Sequence, residues 1–218
     1  MYTPKHFEHN ELESVKKFID EHGFATVVTV GDTGEPIINH IPVVFENDSK
    51  EYLVGHMSRH NPQWRSFIKN PKATLLFHGP HSYITPKWYR SGRDVPTWNY
   101  TVVHLLGSIE LIEKYNDQIR ILQQITKHFE SFEKTQWLFE LPDDLLDPTS
   151  LTGAIVSFRF KINKIEAKFK LSQNRSVNDQ QGIIQGLNER TDENSQLVRD
   201  LMIQNLTNAI GSSNMRDK

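Results

Sequence analysis

Apolar and polar residues alternate along the first third of the chain with the two-residue period of half-buried strands. Phe24-Ala25-Thr26-Val27-Val28-Thr29-Val30 is rich in β-branched side chains and predicts a strand that turns at Gly31-Asp32-Thr33-Gly34. Residues Ile37–Phe45 predict its return, with Pro42 marking an edge or a bulge. Asn47-Asp48-Ser49-Lys50 then leads into a third strand, Glu51–Met57. Together these predict an antiparallel meander. Ahead of it, Leu12, Val15, Phe18 and Ile19 recur at helical spacing within Glu11–Ile19, with acidic residues early and Gly23 past the end. Tyr2–Phe7 predicts an extended arm packed on the body.

Lys72–His78 and Tyr100–Ile112 predict the fourth and fifth strands. Within Leu75–Gly107 these two runs flank a long connection carrying Tyr83, Trp88, Tyr89 and Trp98, stiffened by Pro80, Pro86 and Pro96. Long loops rich in aromatics are usually functional. The residues alone favour equally a wall for a flat organic ligand and a cap on a barrel end. Lys114–Phe132 predicts a helix with Ile119, Leu122, Ile125 and Phe129 on one face, and Glu133–Ser150 an acidic surface excursion limited by Pro142 and Pro148. Ala154–Phe160 and Ile162–Phe169 give a strand or strand pair that closes the sheet. Asp179–Leu187 and Asn194–Ile210 predict helices, the second with Leu197, Leu201 and Leu206 as its apolar stripe, and Gly211–Lys218 is expected to fray. The strands predict a small barrel, because closure removes exposed edges.

A chain of 218 residues can hold one good core or two small ones. No apolar run approaches the roughly 20 residues of a membrane helix, and MYTPKHFEHNELE lacks the basic-then-apolar order of a secretion signal, so the expected location is the cytoplasm. Zero cysteines exclude disulfides and thiolate chemistry. A net charge of −2 gives no global attraction to nucleic acid, so DNA binding needs a local basic face or a partner. No helix-turn-helix with a basic recognition helix is present, and Arg190 and Arg199 lie among Glu189, Asp192, Glu193 and Asp200.

Two stretches carry candidate chemistry. Ser58–Lys69 reads as a loop and a short helix, with Asn61 as N-cap and Pro62 at the first helical position. Free N–H groups there would receive a phosphate, helped by Arg59 and Arg65; an ordinary capped helix is the simpler alternative. Lys168-Phe169-Lys170-Leu171-Ser172-Gln173-Asn174-Arg175 gathers donors for an anion or a polar ring edge, or else is a solvated strand end. Histidines in a β-rich core are more often packed and hydrogen-bonded than ligating. His78-Gly-Pro-His81 lacks the spacing that puts two ligands on one metal, so no metal site is assigned. No nucleophile–base pair stands out; Tyr83, His56 and Asn99 are the candidate proton donors or orienting groups.

The strand GFATVVT, the run GHMSRHNPQW, the segment GPHSYITPKWY, then VPTWNY and KFKLSQNR resemble, in this order, the PaiB family of FMN-binding negative transcriptional regulators. The resemblance spans about Met1 to Leu187. It implies a mostly β single domain over residues 1–218: a Greek-key-like antiparallel split β-barrel with a helical insert near 114–150 and a C-terminal polar motif and helices over 168–210. It also implies FMN at the interface of a homodimer. By likeness to the wider superfamily, which includes pyridoxamine-phosphate oxidases, Asn39, His40 and Ile41 would run along the flavin ring. His56, Met57, Asn61, Pro62, Gln63 and Trp64 would hold the ribityl chain and phosphate. Trp98 would contribute an aromatic wall, and Lys170, Ser172, Gln173, Asn174 and Arg175 would reach the flavin from the other subunit. Those oxidases use an Arg-Lys pair for the phosphate where this chain has Pro62-Gln63, so Arg59, Arg65 or Lys170 would substitute. The alternatives that the resemblance leaves are a flavin-dependent oxidoreductase of the pyridoxamine-phosphate-oxidase-like group and a haem-binding or haem-degrading split barrel, in which His56, His78, His81 or His104 would offer an axial ligand.

Overall fold

The computed structural model describes residues 1–92, 95–143 and 147–214, without the side chains of 48, 152 and 210–214. Six strands appear among them: β1 (Phe24–Val30), β2 (Pro36–Phe45), β3 (Tyr52–Ser58), β4 (Lys72–Ile84), β5 (Thr97–Ile112) and β6 (Ile155–Lys170). The helices are α1 (Leu12–Glu21), α2 (Trp64–Lys69), α3 (Tyr115–Glu130), α4 (Pro148–Ala154), α5 (Val177–Asn188) and α6 (Glu193–Asn214). The strands close in the order β1-β2-β3-β6-β5-β4. Each registered ladder is antiparallel: β1 with β2 and β4, and β3 with β2 and β6. This is the expected barrel, with one long closing strand rather than a pair.

The described chain divides into two compact units, one of them within Leu12–Phe77 and Val103–Ile165. Its core follows from strand alternation: Ala25 and Val27 of β1, Leu53 of β3, Leu75 and Phe77 of β4, and Phe158 and Phe160 of β6 are fully buried. Pro42 sits opposite Phe24 where β2 leaves β1, and the β3 pairing begins at Val43, so its missing N–H falls between two ladders. α3 lays Ile121 and Ile125 on Val44 and Val54, with Ile112 and Phe129 beside them. The expected stripe through Ile119 is displaced. Gln118 takes the buried position and donates from Nε2 to the Ile112 carbonyl at 3.0 Å.

The other unit holds Met1–Glu11, His78–Val102 and the residues from Glu166 onward. Here the sequence expectation of a long loop needs correction, because β4 runs on to Ile84 and β5 begins at Thr97. Alternation slips between His78 and His81, which leaves Pro80 buried within the strand, where its carbonyl accepts from Thr101 Oγ1 at 3.4 Å. The arm forms a 3-10 turn over Lys5–Phe7 that buries Phe7. α6 buries Ser195, Val198 and Met202, whereas Leu197 is exposed. Polarity misplaced that stripe: buried Ser195 is satisfied by Ser82, hydroxyl to hydroxyl at 2.9 Å. The expected fraying of Gly211–Lys218 finds helix to Asn214, and its last four residues lie outside those described.

Trp88 is the anchor of this second unit. Its ring lies against Gly186 of α5 and its backbone carbonyl against Gly182, and the Arg190 guanidinium stacks 4.7 Å from the ring centre. A Cβ at Gly186 would fall 2.2 Å from the Trp88 ring. Gly186→Ala is therefore expected to destabilise the protein by about 1–3 kcal/mol, the usual cost of overpacking. Gly153→Ala, where a Cβ meets nothing within 4 Å, is expected to be close to neutral in the same urea titration.

Candidate functional site

The motif GHMSRHNPQW occupies the end of β3 and the approach to α2. Asn61 does not cap the helix as expected; its Oδ1 accepts from Gln63 N at 3.0 Å in a turn, and α2 begins at Trp64 and is six residues long. Proline at 62 suits a turn as well as a first helical position, and the turn takes it. So short a helix gives the dipole argument little support. The charge at this place comes instead from two guanidinium groups. Arg59 and Arg65 each lie 5.4 Å from the Trp64 ring centre, and Trp64 Nε1 donates to the Arg59 carbonyl at 3.0 Å. Arg65 is exposed and adjoins a cleft of about 240 Å³ that Pro62, Ser66 and Lys69 also line.

Gln63 has a different part. It is fully buried, and its Nε2 donates towards the Val27 and Ile37 carbonyls, both at 3.1 Å, and Thr29 Oγ1 at 3.2 Å. Its Oε1 accepts from Asn39 Nδ2 at 2.9 Å. Both amides expected on a ligand are thus joined to each other, and Gln63 clamps the start of α2 to β1 and β2. His40 is exposed, Ile41 and Met57 are buried, and His56 is half-buried. His56 Nδ1 and Arg59 Nε are buried atoms without a hydrogen-bond partner. Burial holds the His56 pKa below its ordinary value of 6.5.

The C-terminal motif lies at the end of β6. Ser172 takes a left-handed backbone (φ 63°) and donates from Oγ to Asn99 Oδ1 at 3.0 Å. Gln173 folds back on its own turn, accepting from Leu171 N at 2.7 Å and donating to the Phe169 carbonyl at 2.5 Å. Lys170 Nζ donates to Thr97 Oγ1 and, at 2.7 Å, to the Trp98 carbonyl. Arg175 stacks on Tyr89 at 5.2 Å, Asn174 is exposed, and Trp98 is 52% exposed. Among the described residues no cluster of three or more histidine and acidic side chains suits a metal ion. No helix there is long and apolar enough to cross a membrane.

Comparison with known proteins agrees with this architecture. Residues 1–164 match the family described as "Putative FMN-binding domain". "Protease synthase and sporulation protein PAI 2" of Bacillus subtilis (strain 168) is 38% identical over 206 residues, covering 93% of this chain and 96% of that protein. Among solved structures, the FAD and heme binding protein from Mycobacterium smegmatis superposes with a TM-score of 0.58 at 18% identity, covering 75% of this chain and 73% of that one. The flavocytochrome Anf3 from Azotobacter vinelandii gives 0.57 at 15% identity, covering 88% and 75%. At such identities the structures establish the fold, which is a split barrel of the flavin-binding class. Within that class, the chain belongs to the PaiB family of FMN-binding domains.

The residues at the end of β3 fit the phosphate-bearing side of such a cofactor. Unpartnered Arg59 Nε and His56 Nδ1, with the exposed Arg65 guanidinium, form a donor set suited to phosphate and hydroxyl groups. The Gln63 amide belongs to the frame. Gln63→Leu is expected to destabilise the protein by about 2–4 kcal/mol, because it strands buried carbonyl and hydroxyl partners, as chemical denaturation will show. A lowered histidine pKa makes the unfolded chain bind the proton first, so the His56 contribution is complete above pH 6.5 and is lost as pH falls through the folded value. His9 and His22 are lowered by burial in the same direction. Unfolding midpoints in urea are expected to fall between pH 7.5 and 5.5, less steeply in His56→Gln.

Proposed function

We propose that this chain is an FMN-binding, PaiB-like negative regulator of transcription that works as a homodimer. The observation that carries the flavin reading is the stack of Arg59, Trp64 and Arg65 at the end of β3, in a chain whose first 164 residues match an FMN-binding domain. Arg59 and Arg65 take the place of the oxidases' Arg-Lys pair at the phosphate. His56, Asn61 and Pro62 line the ribityl chain, and His40 and Ile41 run beside the ring. Gln63 and Asn39 hold the loop in position, and Met57 packs behind it. Asn174 and Arg175, on the turn that Ser172 and Gln173 brace, meet the ring edge from the second copy. Bound FMN would supply redox chemistry, and the protein would supply its orientation and electrostatics.

Dimerisation is supported by large apolar side chains on the outward side of β1 and β2, where Phe24 is 64% and Ile38 54% exposed. The Bacillus relative's name links it to protease synthesis and sporulation, in keeping with a regulatory role. Repression then runs through a protein partner rather than a basic helix, since Arg199 of α6 is paired with Asp200.

The test is a titration of the full chain with FMN and with riboflavin, which lacks the phosphate. The expected result is saturable FMN uptake that raises the melting temperature, with riboflavin bound more weakly. Arg65→Ala is expected to weaken FMN about tenfold or more and to leave riboflavin nearly unchanged, the loss of one charge-assisted contact of about 1.5–3 kcal/mol. No uptake at a large excess of FMN would end the flavin reading. A molecule that stays monomeric in sedimentation at high concentration, with FMN present, would end the dimer.

A further inference from the structure

Lys168 is an ammonium group placed where few are found. It is 8% exposed, yet its Nζ makes a single hydrogen bond, to the Tyr2 carbonyl at 3.1 Å. Two ring faces lie against it, Tyr100 at 5.3 Å and Tyr2 at 5.8 Å; of the nearby carboxylates, Glu8 is its backbone bridge partner and Glu166, two residues back on the same side of β6, pairs with the Met1 amino group. An ammonium has three N–H donors, and among the described residues no carboxylate pairs with this one. A charge so buried is costly without a counter-ion. Lys170 lies two residues on, which puts it on the same side of β6. It too has no carboxylate partner among the described residues, only Thr97 Oγ1 and the Trp98 carbonyl. Burial pushes its pKa down, and the charges of Lys168 and Arg175 push it further.

The neighbouring strand adds an aromatic row. In the strand order β5 stands between β6 and β4. Trp98 and Tyr100 alternate onto one side of β5, and Tyr100 is the ring beneath Lys168, so row and lysines share a face. Trp98 is half exposed and meets the Tyr83 ring edge-on at 5.9 Å and the His81 ring at 6.1 Å. A cleft of about 400 Å³ runs along His78, His81, Trp98 and Tyr100. Tyr2 is 84% exposed, so the cover over Lys168 is a side chain already mostly in water.

We propose that this face binds a small aromatic anion, a planar ring bearing a phosphate or carboxylate, with the ring on the Trp98–Tyr100 row and the anionic group at the Lys168 and Lys170 ammoniums. The site combines the two contacts such a molecule needs, a stacking surface and unneutralised cations. It goes beyond the flavin reading and needs no flavin.

The test uses flavin-free full chain and ligand-observed NMR, with phenyl phosphate as probe and benzyl alcohol and inorganic phosphate as comparators. Phenyl phosphate is expected to bind saturably and at least tenfold more tightly than either comparator. Lys168→Met is expected to weaken it at least tenfold, Lys168→Arg to restore most of the binding, and Trp98→Ala to weaken it several-fold. Wild-type affinity in Lys168→Met would overturn the proposal, as would equal binding of benzyl alcohol or of inorganic phosphate. Should Lys168→Met fail to fold, the half-buried Lys170→Met decides, with unchanged phenyl phosphate binding counting against the site. FMN uptake by wild type and by Lys168→Met separates the two readings, because the family resemblance places Trp98 and Lys170, but not Lys168, at the flavin. Loss of FMN binding with phenyl phosphate retained condemns only the flavin site, and the reverse condemns only this one.

Discussion

One buried amide decides how the region after β3 is presented. Gln63 sits where α2 begins, and its side chain reaches Val27, Thr29 and Ile37 on β1 and β2 while it accepts from Asn39. Each partner has its own reason to need it, because a buried carbonyl without a donor loses the hydrogen bond that water gave it in the unfolded chain. Ser66 extends the clamp by donating from Oγ to Thr29 Oγ1 at 3.0 Å. With Gln63 and Ser66 turned inward, the intervening Trp64 and Arg65 must face away from β1. The stack of Arg59, Trp64 and Arg65 is thus a consequence of amide chemistry behind it.

The same clamp marks the limit of what residue types reveal. Asn39 and Gln63 are the amides one would put on a polar cofactor, and an amide facing a ligand is spelled like one facing a backbone carbonyl. Ser172 and Gln173 are alike in this respect, since their side chains go to Asn99 and to their own turn. Cationic and aromatic residues were more legible. Arg59 and Arg65 stand near each other in the chain, and the turn ahead of α2 brings both to the Trp64 ring.

Strand alternation carried most of the fold. β1 begins and ends where its β-branched run does, and β2 and β3 are shifted by one residue at most. The failures share one cause, a residue whose ordinary preference is overridden by a partner far away in sequence. Pro80 reads as loop, yet a slip in alternation takes it into β4. Gln118 and Ser195 lie outside the apolar stripes the sequence predicts, yet both are buried, with the Gln118 Nε2 bonded to the Ile112 carbonyl and the Ser195 hydroxyl to Ser82. Gly182 and Gly186 lower the helix propensity of α5, and the close approach of Trp88, by its carbonyl at Gly182 and its ring at Gly186, explains them.

Among the described residues, cations held by carboxylates can be set against cations held by ring faces, and the contrast bears on the anion sites proposed for a protein of net charge −2. Arg159 chelates Glu46 at 2.5 and 2.6 Å, and Lys50, Lys69 and Arg120 pair with Glu13, Asp32 and Asp117. Their charges are spent locally. Arg59, Arg65, Lys168 and Lys170 lean instead on Trp64, Tyr100, Tyr2 and Phe7. A ring face positions a cation through its quadrupole and does not neutralise it, so the full charge stays available to a ligand. Held this way, a few cations would serve the proposed sites without a basic surface, which would attract nucleic acid of any sequence.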